Sequence, residues 1–297
     1  MLKRAVRGMS MAAIMLVSAL AFSQGQPASG VKSGYAQVNG LKMYYEVHGT
    51  GQPLILLHGG VGSTGMFSEI MPALASSREV IALDLQAHGR TADIARPLSY
   101  EAMADDVAAL MKTLEIKQAD VMGYSLGGGV ALRTAIQHPE LVRKLVVVSA
   151  PFKRHGWYPE IQAAMSNIDP ANAENMKQSP MYQVYARSAP RPQDWPQLFK
   201  KLSELLGKDY DWSKEVAAIK VPILLVVGDA DAVRPAHAVE FFELLGGGKR
   251  DAGWDGAGMS DARLAILPGT THYNIFASPL LATTANAFLD APLPARK

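Results

Sequence analysis

The sequence predicts an α/β fold: a mostly parallel, twisted sheet of about eight strands with helices on both faces and a small helical lid. Three observations carry this reading. Short, nearly continuous apolar runs recur as PLILLHG (53–59), EVIALDL (79–85), ADVMGYS (119–125), KLVVVSA (144–150), PILLVVGDAD (222–231) and ARLAILPG (262–269). Runs that do not alternate belong to strands buried on both faces, and such strands are normally parallel. Helix-patterned stretches separate several of them, as right-handed crossovers between parallel strands require. With 297 residues, 48% hydrophobic and 19% charged, the chain can bury a large core within one α/β domain that carries an insertion.

The first 23 residues stand apart. Lys3, Arg4 and Arg7 precede the apolar MAAIMLVSALAF, and small residues lie around Ala21-Phe22-Ser23. The run is shorter than the ~20 residues that span a bilayer, so residues 1–23 read as a signal peptide cleaved near Ser23. The expectation is a periplasmic or secreted protein with no stable membrane anchor after cleavage. Residues 24–33, rich in Gln, Pro, Ser and Gly, read as a flexible leader, and residues 34–291 as the globular domain.

Within that domain, YAQVNGLKMYYEVHG alternates around Asn39-Gly40, the signal of a type I′ hairpin, so two antiparallel strands open the fold. SYEAMADDVAALMKTL is a helix with Ser99 as N-cap, and GGVALRTAIQHPELV is a helix whose small residues face a sheet. Residues 152–216 break the alternation: they hold Trp157, Trp195, Trp212, several methionines and SAPRPQDWPQ, with no strand-like run. They read as a helical lid that starts directly after KLVVVSA and ends at an Asp211 cap, its apolar side chains suited to roofing a pocket. GGGKRDAGWDGAGMSDA (246–262) reads as an exposed mobile loop, with substrate access or partner contact as its possible roles.

Composition excludes several classes. There is no cysteine, hence no lipid-attachment site, disulfide framework or thiolate nucleophile. The formal net charge of +2 becomes about −1 once Lys3, Arg4 and Arg7 leave with the signal, and nothing suggests a nucleic-acid partner. No cluster of His, Asp and Glu has metal-ligand spacing, so neither metal nor cofactor is expected.

In open parallel sheets function collects at the carboxyl ends of the strands. After ADVM comes Gly123-Tyr124-Ser125-Leu126-Gly127, a G-x-S-x-G sequence between a strand and a helix. That context suits a sharp turn that presents Ser125, with glycines where neighbouring chain must come close. A phosphate cradle would need G-x-G-x-x-G spacing or a Lys-Ser/Thr pair, and neither is present. A serine hydroxyl needs a base, and His272 in PGTTHYN lies just beyond the last apolar run. The acid that orients it should come from VVGDADAVRP. Asp231 sits farther into the loop and is favoured, while Asp229 is placed to hold the turn. For an oxyanion, Leu126 follows the nucleophile and offers one amide. Gly60 in the HGGVG loop offers the second, with Val61 as the alternative.

Through LLHGG, DLQAHGRT, GYSLGG and the GDAD/THY pair, over residues 34–291, the chain resembles the serine-nucleophile branch of the α/β-hydrolase fold family. The resemblance implies Ser-His-Asp hydrolysis of a carboxylic ester, thioester or lactone through an acyl-enzyme without a cofactor, and the aromatic, Met-rich lid suits a small-molecule apolar acyl substrate of moderately large size. It leaves open carbon–carbon bond hydrolysis, cofactor-free haloperoxidase or perhydrolase chemistry, and a non-catalytic ligand-binding role. Dehalogenases and epoxide hydrolases of this fold carry aspartate where Ser125 stands. Carbon–carbon hydrolases usually place a tryptophan soon after the histidine, where this chain has Tyr273-Asn274. His58 and His88 resemble loop-bracing residues of the family, Asp84 resembles a strand-end structural acid, and His155 reads as a solvated side chain of the lid.

Overall fold

The computed structural model describes residues 31–168 and 171–293, so the expected signal peptide and most of the expected leader lie outside the described residues. In chain order the strands and α-helices are β1 (Lys32–Val38), β2 (Leu41–His48), β3 (Gln52–Leu57), α1 (Met71–Leu74), β4 (Arg78–Leu83), α2 (Tyr100–Thr113), β5 (Ala119–Tyr124), α3 (Leu126–Gln137) and β6 (Val142–Val148). There follow α4 (Pro159–Ser166), α5 (Asn172–Asn175), α6 (Pro180–Ser188), α7 (Trp195–Leu206), α8 (Ser213–Ala217), β7 (Ile223–Ala230), α9 (Pro235–Leu244), β8 (Ala262–Thr271) and α10 (Pro279–Asp290). Eight strands form one sheet in the order β1-β2-β4-β3-β5-β6-β7-β8. The hairpin pairs antiparallel with itself and with β4, and every pair from β4 to β8 is parallel.

Asn39 and Gly40 both take positive φ, 47° and 85°, as a type I′ turn demands. Pairing starts at Lys32 opposite Val47, so β1 reaches two residues into the expected leader. Each central strand is apolar on both faces because each face has its own core. Ile55, Leu57, Val121, Leu145, Val147 and Leu225 pack against α2 and α3 through Val107, Leu110 and Val130. Leu54, Leu56, Met122, Val146, Val148 and Leu224 pack against α10 through Leu281, Ala285 and Leu289. Each fully buried leucine or isoleucine here contributes about 2 kcal/mol. Ser99 caps α2, its side chain accepting from Ala102 N–H at 3.1 Å.

Strand order reverses beside β3: the chain steps outward to β4, then crosses back to β5 on the other side. The crevice between the carboxyl ends of β3 and β5 is therefore the topological switch point, where open α/β sheets bind ligands.

Between β6 and β7 the chain forms α4 to α8 as an insertion with a closed stem. Arg154 N–H donates to Tyr210 O at 3.0 Å and Trp212 N–H to Phe152 O at 3.1 Å. The helix α8 begins one residue later than the Asp211 cap implies. Trp212 takes the cap position, and Asp211 Oδ1 accepts from Ser213 N–H at 2.8 Å. Helix α7 turns Leu198, Phe199, Leu202 and Leu205 inward. Its Lys201 is buried, and Nζ donates to the Asp93 carboxylate at 2.7 Å and to the carbonyls of Ile94 and Arg96. That ammonium ties the insertion to the loop after β4, and its bonds offset much of the desolvation cost of a buried charge.

Candidate active site

Strand β5 ends at Tyr124, α3 begins at Leu126, and Ser125 alone turns the chain between them with φ 53° and ψ −116°. A non-glycine residue at positive φ is strained. The bend also brings backbone so close that glycine is required on either side. A Cβ on Gly123 would lie 2.0 Å from Gly127 O, and one on Gly127 would lie 2.4 Å from Leu57 O. Gly129 lies against the Tyr100 ring, which lets α3 sit close to α2.

Beyond β7 and β8 the chain supplies the partners. His272 Nε2 lies 3.0 Å from Ser125 Oγ, and His272 Nδ1 lies 2.9 Å from Asp231 Oδ1. A carboxylate only accepts, so Nδ1 donates to Asp231, which in the neutral ring leaves Nε2 to accept the Ser125 hydroxyl hydrogen. Asp231 also accepts from Gly228 N–H (3.0 Å), Val233 N–H (3.1 Å) and Ser149 Oγ (2.5 Å). Burial pushes its carboxyl up, but the His272 bond and these further donors outweigh that and hold it below the ordinary aspartate range. Asp229, two residues earlier, is exposed and accepts from Gly269 N–H at 3.0 Å and Thr270 N–H at 3.2 Å. It thereby pins the turn that carries His272.

The His272 ring has aromatic neighbours. Tyr124 packs at 5.2 Å between ring centroids, and its hydroxyl donates to His272 O at 2.5 Å. Burial pushes the Tyr124 phenol well above its usual range, so it remains a donor. Trp157, from the start of the insertion, meets the imidazole edge-to-face at 5.4 Å. The same segment is stitched to the Asp231 loop: Tyr158 N–H donates to Ala232 O at 3.2 Å and Arg234 N–H to Gly156 O at 3.0 Å. Ser149 and Trp157 join the site through contacts made in the fold. Ser149 stands directly after an apolar run, as Ser125 does, and Trp157 is one of the aromatic residues of the expected lid, with nothing local that points to His272.

The loop after β3 passes beside Ser125, since a Cβ on Gly59 would lie 3.4 Å from Ser125 Cβ. A turn closed by Gly62 N–H to Gly59 O at 3.1 Å leaves the amides of Gly60 and Val61 outside its own bond, with Val61 at φ 62°. Leu126 N–H is the first amide of α3, one of the four that a helix cannot satisfy itself. Leu202 of α7 approaches the Gly60 position at 3.9 Å, which sets the insertion over this loop.

His58, Asp84 and His88 brace the neighbouring loops. His58 Nδ1 bonds Gly59 O at 2.7 Å and its Nε2 accepts from Leu85 N–H at 3.1 Å. Asp84 accepts from Thr64 N–H and Arg90 N–H, both at 2.7 Å. His155 is solvated. Among the described residues, no group of three His, Asp or Glu side chains is placed to hold a metal ion, and no helix is long and apolar enough to cross a membrane. The 246–262 loop joins α9 to the start of β8, at the amino ends of the strands. The loop therefore leaves and re-enters the domain on the edge opposite Ser125 and His272.

Comparison with known proteins agrees with this fold. The model of the alpha/beta hydrolase fold matches residues 52–246. A 2-hydroxymuconate semialdehyde hydrolase of Pseudomonas sp. (strain CF600) is 39% identical over 117 residues, which are 37% of this chain and only 41% of that protein's length. A putative carbamate hydrolase of Azorhizobium caulinodans is 27% identical over 228 residues, covering 68% of this chain and 82% of its own. The solved enol-lactonase of Burkholderia xenovorans LB400 superposes with a TM-score of 0.64 at 21% identity, over 86% of this chain and all of its own. The chain belongs to the α/β hydrolase fold family.

Proposed function

We propose that the protein is a serine hydrolase that cleaves a carboxylic ester, thioester or lactone through an acyl-enzyme. The observation that carries this reading is the unbroken chain Asp231–His272–Ser125, ending on a serine held in a strained turn at the switch point. As His272 Nε2 takes the hydroxyl proton, Ser125 Oγ attacks the substrate carbonyl carbon, and the carbonyl π pair moves onto oxygen. The amides of Gly60 and Leu126 receive that oxyanion. Collapse breaks the bond to the leaving oxygen or sulfur, which His272 protonates. Water then repeats the sequence on the acyl-enzyme and releases the acid. Asp231 stays ionised and holds the imidazolium.

The insertion serves as a lid, its Leu202 and Trp157 giving the acyl site an apolar wall. The basic, then apolar, opening of the chain supports export, and sequencing the amino terminus of protein recovered outside the cytoplasm would read the cleavage point. The identity to a semialdehyde hydrolase keeps carbon–carbon bond hydrolysis as a second reading. Incubation with a fluorophosphonate tests the nucleophile: the wild type takes the label and Ser125→Ala does not. A folded wild type that takes no label overturns the reading. A panel of p-nitrophenyl esters, thioesters and lactones then separates ester chemistry from the second reading, which predicts none of them is turned over.

A further inference from the structure

We propose that Ser149 is a positioning residue that holds Asp231 in the plane His272 requires, an inference that rests on the serine-hydrolase reading above. Ser149 directly follows β6 as Ser125 directly follows β5, and the two share one backbone device. Their φ values are 51° and 53°. Each donates its N–H to a carbonyl of the next strand, Ser149 to Val226 O at 2.8 Å and Ser125 to Val148 O at 2.9 Å. At Ser125 the strained turn shows a hydroxyl to His272. At Ser149 it turns a wholly buried hydroxyl onto Asp231 Oδ2 at 2.5 Å. Glycine would take this backbone without strain, so the strain at Ser149 accompanies the hydroxyl rather than the turn.

The carboxylate shows what that hydroxyl does. Asp231 Oδ1 is shared by His272 Nδ1 and Val233 N–H, while Oδ2 is held by Gly228 N–H and Ser149 Oγ. Two donors on each oxygen fix the carboxylate plane. Without Ser149, Oδ2 keeps only Gly228 N–H, and the hold on the carboxylate plane is weakened on that oxygen. The O–H dipole also tempers the negative field that reaches His272. The other titratable side chains facing the imidazole are Tyr124 and Tyr273, both pushed upward by burial, and Asp229 is engaged by the amides of Gly269 and Thr270. Removing the hydroxyl therefore leaves the Asp231 field less tempered, which favours the imidazolium and moves the acid limb of the rate profile to higher pH.

The test uses the full chain and the second-order rate of phosphonylation by a fluorophosphonate, followed against pH in the wild type, Ser149→Ala and Ser149→Gly, alongside their melting temperatures. Both variants should label about tenfold more slowly, the scale of a lost hydrogen bond to a charged group. Both should show the acid limb displaced upward, while the glycine variant melts above the alanine variant. A wild-type rate in either variant overturns the proposal. So does a slowing that tracks the melting temperature instead of the missing hydroxyl, or an acid limb that stays at its wild-type pH. Normal labelling of the wild type with unaffected variants sinks Ser149 alone; absence of labelling in the folded wild type sinks the serine-hydrolase reading and this assignment with it.

Discussion

Above β3 and β4, His58, Asp84 and His88 are wholly buried, and their closest hydrogen bonds go to backbone: Gly59 O and Leu85 N–H for His58, Thr64 and Arg90 N–H for Asp84, Gln86 O for His88. Above β5 to β8, Ser125, Ser149, Asp231 and His272 bond to one another. The residue types overlap and the sheet edge is the same. What differs is the destination of each bond. A side chain spent on an amide stiffens a loop, whereas a side chain spent on another titratable group can pass a proton or a field along. Charge follows the same division. Burial depresses His58 to about 3 and His88 to about 4, so both stay neutral, and it lifts Asp84 to about 6. Asp231, nearly as deep, is held low by its partners.

The largest expected effect breaks or keeps this division directly. Asp231→Ala should lower kcat about 10⁴-fold with the fold intact, since the imidazole loses its orientation and its counter-charge. Asp84→Ala should do the reverse. Two buried amides lose their acceptor, which costs about 3 kcal/mol of stability, while activity per folded molecule stays within about tenfold. Asp229→Ala falls between them, loosening the turn under His272 and lowering kcat about tenfold. Denaturant titration beside steady-state kinetics separates the three. An Asp84 variant as inactive as the Asp231 variant, at wild-type stability, would erase the distinction.

Much of this was legible in the sequence because it is encoded locally. An apolar run of six or seven residues marks a strand buried on both faces, and a serine flanked by glycines at two positions either side marks a bend that other residues cannot make. His272 and Asp231 were found by order along the chain and by their places after apolar runs. What escaped depends on where the chain travels afterwards. Ser149 follows KLVVV with no glycine to advertise its positive φ, and its hydroxyl matters only because Asp231 arrives from the next strand. Trp157 meets His272 because residues 154–158 fold back onto the 232–234 loop, a contact with no periodic signature. The start of β1 at Lys32 has no apolar signature because Lys32 and Ser33 are polar, and their place in the sheet comes from pairing with Val47 and Glu46.

A second, smaller effect sharpens the comparison through pH. The unfolded chain protonates its histidines near pH 6.5, while folded His58 and His88 resist down to about 3 and about 4. Below about pH 6.5 the unfolded state therefore binds more protons, and stability falls as pH falls. Between pH 7 and pH 5 each of these histidines removes about 2 kcal/mol. His237, in the first turn of α9 and depressed to about 4 by burial, acts in the same direction. Asp84 opposes them: with its carboxyl at about 6 the folded state takes up a proton first, which returns about 1 kcal/mol over the same interval. Asp231 is silent in this window, because the stability from a lowered carboxyl is lost only as pH falls through the ordinary carboxylate range and below. Urea midpoints should therefore fall between pH 7 and pH 5, and His88→Asn should flatten the slope. A midpoint that does not move over that interval would show that these side chains are not held neutral.

The smallest expected effect lies at the far end of the sheet. Trp254 is fully exposed and Met259 is 55% exposed on the 246–262 loop, which leads into the first residue of β8. His272 follows the last residue of that strand, and ten residues of strand separate the two ends by roughly 30 Å. No side chain on the loop spans that distance, and Leu202 and Trp157 of the insertion, not this loop, lie against the Gly60 position and His272. Trp254→Ser should leave kcat/KM on a p-nitrophenyl ester at the wild-type value and shift stability by less than about 0.5 kcal/mol, as for an exposed side chain with no packing to lose. A change in kcat/KM would mean that the two ends of β8 communicate, and that the carboxyl edge is not by itself the whole site. An unchanged value confines the chemistry to the edge where Ser125, Ser149, Asp231 and His272 meet. Any role for the exposed indole would then concern what the protein touches rather than what it cleaves.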